Sequence, residues 1–337
     1  HTSSAVQGDA KRPDYDTGGV YWDLLAEGDS NFVTTTRGDL LTRNATQNIR
    51  LGIGTAGSLL KSDGTDISWA LPGVTTNVYF VAKHGADNDP ASDTGRGTSL
   101  EKPFLTIKYA IEWMNANVAA GTNKTLYVKT GLYEEQLPIV VGANTQVIGD
   151  GLRSAKVAPA AGNSTASGLT NTPNSRADMF RVRNGVTFSG FTFQGMAGTM
   201  GTADSFGIQR PNTADGATRS GVIFALDPGT GPTDTSTHIT SKSPFIQNCT
   251  HIGSGSVGIK IDGSLHNAGN RSILANDFTQ IPDNGVGVWA LNNAKSELVS
   301  VFTYYAHHGY LCDSGAVIRS LNSNNSYGEY GSTSTGI

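Results

Sequence analysis

A short spacing that recurs constrains this chain more than any other feature of it. Gly258-Ile259, Gly287-Val288 and Gly309-Tyr310 stand 29 and 22 residues apart, while Cys249-Thr250, Phe278-Thr279, Phe302-Thr303 and Asn325-Ser326 follow one another at 29, 24 and 23. Phe191-Thr192 aligns with the second set. Two marks kept in step mean that each period holds at least two short strands joined by turns, without a helix. A unit of that size is one coil of a parallel β-helix, in which each strand pairs with its counterparts about 4.8 Å above and below. Inward side chains then stack into one long apolar core, and asparagine-rich corners such as Asn322 to Asn325 run as ladders along the axis. A β-sandwich is the alternative, but the apolar runs do not come as hairpin pairs joined by two-residue Asn-Gly or Asp-Gly links.

Composition agrees with many strands and tight turns. Glycine accounts for 42 of 337 residues and charged residues for 15%, against usual shares of roughly 7% and 25%. Wholesale disorder is excluded by apolar runs such as Thr125-Leu126-Tyr127-Val128 and Leu137-Pro138-Ile139-Val140-Val141. The net charge of −4 and the absence of a Lys/Arg run argue against a nucleic-acid partner. Without a stretch of 18 apolar residues, no membrane insertion is expected. Cys249 and Cys312 match no metal-ligand spacing and read as two free buried thiols.

Three segments follow from the pattern. Residues 1–31 lack any sustained period and read as an extended arm. Residues 32–73 hold brief apolar pairs between turn residues, too few to bury a core alone. Such a thin β-rich stalk is stable against copies of itself, most simply as a homotrimer. Residues 74–337 form the β-helix domain, entered by the strand Asn77 to Ala82 and capped by a helix whose Ile107, Ala110, Ile111 and Met114 share one face. Pro103 is expected in that helix's first turn. The stretches 158–176 and 198–219 read as loops inserted into coils or as contacts to a partner. The repeat is still running at Ile337 and the chain begins on His1, so a longer polypeptide truncated at its C-terminal end is expected. The fold class is therefore all-β, a parallel β-helix with an N-terminal capping helix behind a stalk.

Chemistry is sparse in this pattern. A glycosidase needs two carboxylates about 5 to 9.5 Å apart, and the candidates on one face are Asp262, Asp283 and Asp313. Asp262 and Asp313 stand beside glycines and read as turn formers. Arg319 beside Asp313 is the pair a lyase would use. His307 and His308 point to opposite faces of a strand, one inward and one exposed, and do not share a metal. Asp87, Asp89 and Asp93 have irregular spacing for a calcium loop. Trp289, Tyr304 and Tyr305 are sugar-stacking candidates equally explained by packing. Arg37-Gly38-Asp39 reads as a tight turn rather than an adhesion motif, and Asn248-Cys249-Thr250 is not taken as a glycosylation site. The expectation is no catalytic residue, no metal ligand, no cofactor and no enzyme, with a polysaccharide lyase or hydrolase as the runner-up.

Two stretches resemble known families. Arg37-Gly38-Asp39-Leu40-Leu41, Ile53-Gly54-Thr55, Gly57, Leu59-Leu60, Asp63-Gly64 and Ser68-Trp69-Ala70 resemble a short module of tail fibres and other virion proteins of tailed phages. From Val78 onward the chain is similar to the pectin-lyase-like, right-handed β-helices of phage structural proteins. Lys102-Pro103-Phe104-Leu105-Thr106-Ile107 stands at the cap, and Leu126 to Glu135 with Val147-Ile148-Gly149-Asp150-Gly151 match the first coils. The resemblance implies a structural protein of a virion, in a tail fibre, spike, baseplate or neck appendage, serving assembly and host attachment. It implies other virion proteins and a host surface glycan as partners, and a cyanobacterial phage as the source. A depolymerase and a noncatalytic carbohydrate-binding adhesin are the alternatives.

Overall fold

The computed structural model describes residues 34–70, 76–93, 95–226, 243–264 and 272–336, so the expected arm at 1–31 lies outside the described residues. The chain divides into two compact units, His1–Val74 and Thr75–Ile337.

The first unit is two antiparallel hairpins, β1 (Leu40–Arg43) with β2 (Asn48–Leu51) and β3 (Leu59–Ser62) with β4 (Ile67–Ala70). Asn44 accepts the amides of Thr46 and Gln47 in the first turn, and Asp63 those of Thr65 and Asp66 in the second, the bonding that makes Asx residues turn formers. Asp39 is spent internally: its carboxylate takes the amides of Thr35 and Thr36 and pairs with Arg50 at 2.6 Å. Trp69 Nε1 donates to the Gly52 carbonyl at 2.6 Å, and a Cβ on Gly54 would fall 2.6 Å from the Trp69 ring. The motif glycine therefore makes room for the motif tryptophan. Leu40, Leu41, Ile53, Leu59 and Leu60 remain exposed.

The second unit is a right-handed parallel β-helix. After the entry strand β5 (Val78–Val81) and helix α1 (Ile107–Asn117) come, among the described residues, seven coils, each contributing to three sheets. The first is β6 (Lys124–Val128), β7 (Gly131–Glu135) and β8 (Ile139–Val140); the second β9 (Thr145–Gly149), β10 (Ala155–Pro159) and β11 (Asp178–Val182); the third β12 (Thr187–Ser189), β13 (Thr192–Ala197) and β14 (Val222–Leu226). In the next three coils one long strand bends through a corner and serves two sheets: β15 (Phe245–Ser254) precedes β16 (Val257–Asp262), β17 (Ser272–Ile281) precedes β18 (Val286–Leu291), and β19 (Lys295–Tyr304) precedes β20 (His308–Asp313). The last coil is β21 (Val317–Leu321), β22 (Asn324–Ser326) and β23 (Tyr330–Thr335). The first sheet is β5-β6-β9-β12-β15-β17-β19-β21 and the third β8-β11-β14-β16-β18-β20-β23, with the second made by β7, β10, β13, the later halves of the long strands, and β22.

The bend is a ladder of left-handed residues. Asn248, Asp277, Ser300 and Asn322 have φ of 48°, 50°, 52° and 49°, one per coil, and asparagine and aspartate enter that region more readily than most residues. Asn322 Nδ2 donates to Ser300 Oγ across the gap at 3.1 Å. Inside, Phe180, Phe188, Phe193 and Phe224 interlock at centroid distances of 4.6 to 6.4 Å.

The glycine mark of the sequence repeat is in register, since Ile259 pairs with Val288 and Val288 with Tyr310. The second mark holds for Thr192, Thr250 and Thr279, then slips by one: Phe278 faces Val301 and Phe302 faces Asn324. A one-residue slip exchanges inside for outside. Val301 is fully buried and occupies the core column, whereas Phe302 is half-buried.

The helix buries Ile107, Ala110, Ile111 and Met114 as expected. Pro103 is not in its first turn. Thr106 is the N-cap, and two carboxylates from elsewhere complete it: Asp87 takes the amides of Leu105 and Thr106, and Glu135 those of Ile107 and Lys108. Burial pushes the Glu135 carboxyl up to about 7 despite its two amide donors. Asp89 accepts the Ala91 amide and Asp93 pairs with Arg96 and Lys102, so each acid of the expected loop has a separate task.

Candidate functional site: the outer faces of the coils

Both inserted loops leave the corner between the second and third sheets, at 160–177 and 198–221. They hold each other through Asp215, which accepts the Thr170 amide at 2.7 Å and the Thr172 hydroxyl. The longer loop lies as a strap on the outer face of the third sheet. Val288 and Ala290 belong to the main core, so Trp289 between them points outward. With Val257, Val286 and Leu311 it forms a second apolar cluster, covered by Met200 and Ile208 of the strap.

A charged line pins the strap. Arg210 bonds Asp313 at 2.9 Å and Asp204 at 2.6 Å, Trp289 Nε1 donates to Asp313 at 2.8 Å, and His308 Nε2 donates to the Gln209 carbonyl at 2.9 Å. Burial would raise the Asp313 carboxyl, but Arg210, Thr335 and Trp289 outweigh it and hold it below the ordinary carboxylate range. Further along the sheet Asp178 pairs with Arg219 at 2.6 Å and Arg181 at 3.0 Å. Lys260 lies 5.1 Å over the Trp289 ring, and burial lowers its pKa against the pull of Asp178 and Asp262.

The sequence candidates separate in three dimensions. Asp262 ends β16 and is the expected turn former, accepting the Ser264 amide, with a second bond from Asn292 Nδ2 at 2.8 Å. Asp313 ends β20, but its side chain anchors the strap and is no turn former. Asp283 sits apart, exposed in the turn before β18, at φ 26°. Arg319 does not meet Asp313: it pairs with Glu297 at 2.8 Å on the first sheet. Neither histidine is exposed, contrary to the expectation for one of the pair: His307 is buried and bonds Glu329 at 2.6 Å, while His308 is held between Thr333 and Gln209. Trp289 is closed off by the strap, and Tyr304 is half-buried. Tyr305 is 52% exposed and stacks on Tyr327 at 5.6 Å. Cys249 is buried and Cys312 half-buried, both free, and burial pushes the Cys249 thiol up to about 12. With Asp262 and Asp313 held low, neither is poised to donate a proton; as ionised groups they remain bases.

A groove of about 590 Å³ opens on the first sheet, lined by Ser243, Ser272, Leu274, Lys295, Glu297 and Arg319. That volume is in the range of small-ligand sites, and hydroxyls beside a Lys and a Glu–Arg pair supply donors and acceptors for a polar ligand.

No protein-family model matches the chain, and no curated protein matches it. Solved structures similar to it include a pectin methylesterase in complex with a hexasaccharide, at 15% identity and a TM-score of 0.35 over 74% of this chain and 68% of that one. Pectin methylesterase PemA from Erwinia chrysanthemi gives 15% and 0.32 over the same shares, and ORF18 of Geobacillus virus E2 gives 11% and 0.23 over 83% and 68%. At such scores they bring no ligand, activity or source to this chain. They do overturn one expectation: pectin methylesterases are enzymes of this β-helix fold, so the reading of the chain as no enzyme is withdrawn.

Sequence reasoning missed a polar column, buried at His251, Gln280 and Thr303 and half-buried at Asn325. His251, Gln280, Thr303 and Asn325 stand in register on the second sheet, opposite Gly258, Gly287 and Gly309. A Cβ on Gly287 would sit 2.6 Å from Thr303 Oγ1, and one on Gly309 2.3 Å from Asn325 Cγ. The glycine mark was therefore the signal for large polar groups across the coil. Its partner column was hidden by the one-residue slip.

Proposed function

We propose that this chain is a component of a tailed-phage particle that meets a cell-surface polysaccharide along its β-helix. The observation that carries the reading is the joining, in one polypeptide, of the Arg37-to-Ala70 hairpin module with a long parallel β-helix. The polar groove around Lys295, Glu297 and Arg319 supports a saccharide as what is met. The five exposed leucine and isoleucine side chains of the hairpin unit support trimerisation through it, since exposed apolar area of that density is stabilised by burial between copies.

The test is competition. Purified chain added to host cells is expected to block adsorption of the particle and to bind polysaccharide extracted from those cells. Undiminished adsorption at saturating chain would overturn the attachment role. The same extract, assayed for soluble oligosaccharide, distinguishes holding from cleavage: release would make the chain a depolymerase.

A further inference from the structure

On the third sheet Arg181, Ala225, Lys260 and Trp289 stand in register on four successive coils. Each lies between two residues of the main core and therefore points outward. Coils repeat at about 4.8 Å, so two long cationic side chains flank the short methyl of Ala225, one coil to either side.

Lys260 is half-buried, and its ammonium carries three donors. One side of it lies on the Trp289 ring at 5.1 Å, a contact that offsets charge and accepts from no donor in the ordinary sense. The nearby carboxylates are bonded elsewhere: Asp178 by Arg219 at 2.6 Å and Arg181 at 3.0 Å, Asp262 by the Ser264 amide and by Asn292 Nδ2. Lys260 Nζ has no hydrogen bond or ion pair among the described residues, and unlike His251 Nδ1 it is not sealed from solvent. Arg181 bonds Asp178 through Nε alone, and its side chain keeps 28% exposure, which leaves the terminal edge of the guanidinium open.

Charge is unbalanced at the same place. Arg181, Arg219 and Lys260 face Asp178 and Asp262, three cations to two carboxylates. Burial, with the two guanidinium groups, lowers the Lys260 pKa more than the carboxylates raise it. A partly buried ammonium without an acceptor is unfavourable, and a planar guanidinium edge is shaped for two oxygens of one anion.

We propose that the gap over Ala225 is an oxyanion site, in which a sulfate, phosphate or carboxylate group accepts from the terminal nitrogens of Arg181 and from the ammonium of Lys260. It lies on the third sheet, whereas the Lys295 groove is on the first, and it holds whether or not the chain attaches to cells.

The indole N–H signal of Trp289, one of four tryptophans in the chain, reports on the ammonium over its ring. The whole chain in sodium chloride is titrated at constant ionic strength with inorganic sulfate, inorganic phosphate or methyl glucuronoside. Sulfate or phosphate is expected to shift that signal saturably. A matching response to the glucuronoside would assign the site to an acidic sugar, and a response to the inorganic ions alone to a free anion. Arg181→Gln, which leaves Asp178 with Arg219, and Lys260→Met, which keeps a stem over Trp289, are each expected to weaken binding at least tenfold. Sulfate stabilises proteins in general, so urea midpoints are compared as well: the wild-type chain is expected to gain more from sulfate than Lys260→Met does. No saturable shift with any of the three anions, or equal affinity in wild type and both variants, would overturn the site. Should the variants unfold, the wild-type titration decides alone.

Discussion

Two buried ionisable residues give opposite pH dependences that cancel. His251 is fully buried and burial pushes its pKa down to about 3. Between that value and roughly 6.5 the unfolded chain binds a proton that the fold refuses, so stability falls as pH drops, by about 1.4 kcal/mol per unit. Glu135, raised to about 7 by burial, behaves inversely: from roughly 4.5 upward the fold keeps a proton that the unfolded chain releases, and stability falls as pH rises. From about pH 4.5 to 6.5 the two slopes oppose. His251→Gln is expected to leave a β-helix that weakens as pH rises through that window, and Glu135→Gln one that weakens as pH falls; urea midpoints at pH 4.5, 5.5 and 6.5 read both. Equal, flat profiles for both variants would contradict the assignment. At this scale, legibility followed sequence distance. Asp262 was readable because its turn partner, Ser264, is two residues away. Asp313 and His307 were not, because Arg210 and Glu329 lie 103 and 22 residues off.

At the scale of elements, the coil and the strap make different demands. Phe224 contacts Phe188 and Phe193 of its own coil and Phe180 and Phe278 of others, so Phe224→Ala is expected to cost about 3–5 kcal/mol of unfolding free energy. Leu321→Ala, at a side chain 66% exposed, is expected to cost within about 0.5 kcal/mol. Arg210→Ala removes the partner of a buried carboxylate; with Arg210 itself 30% exposed, solvent screens part of the loss and about 1–3 kcal/mol is expected. The same variant is expected to free the strap, seen as new protease cleavage within 198–221 while the coils stay intact. Coils were legible because each carries its own inward pattern. The strap was legible only as an insertion, since its apolar contacts, Met200 and Ile208, are two side chains in a polar run and its seat is built from four later strands.

For the whole molecule, the β-helix was evident from spacing because stacked coils force glycine and inward residues to recur at the coil length. The groove on the first sheet was not, because it collects residues from separate coils, Ser243 to Arg319. Trimerisation belongs to this scale too: sedimentation equilibrium is expected to give three times the 35.3 kDa chain mass, and Leu59→Ser with Leu60→Ser to shift it toward one. Electron cryomicroscopy of the intact particle decides whether the chain is displayed for attachment. Projecting density is expected, fitted by stacked three-sheet coils with the Lys295–Glu297–Arg319 groove facing solvent; coils enclosed between other particle proteins, or no such density, would contradict the attachment reading.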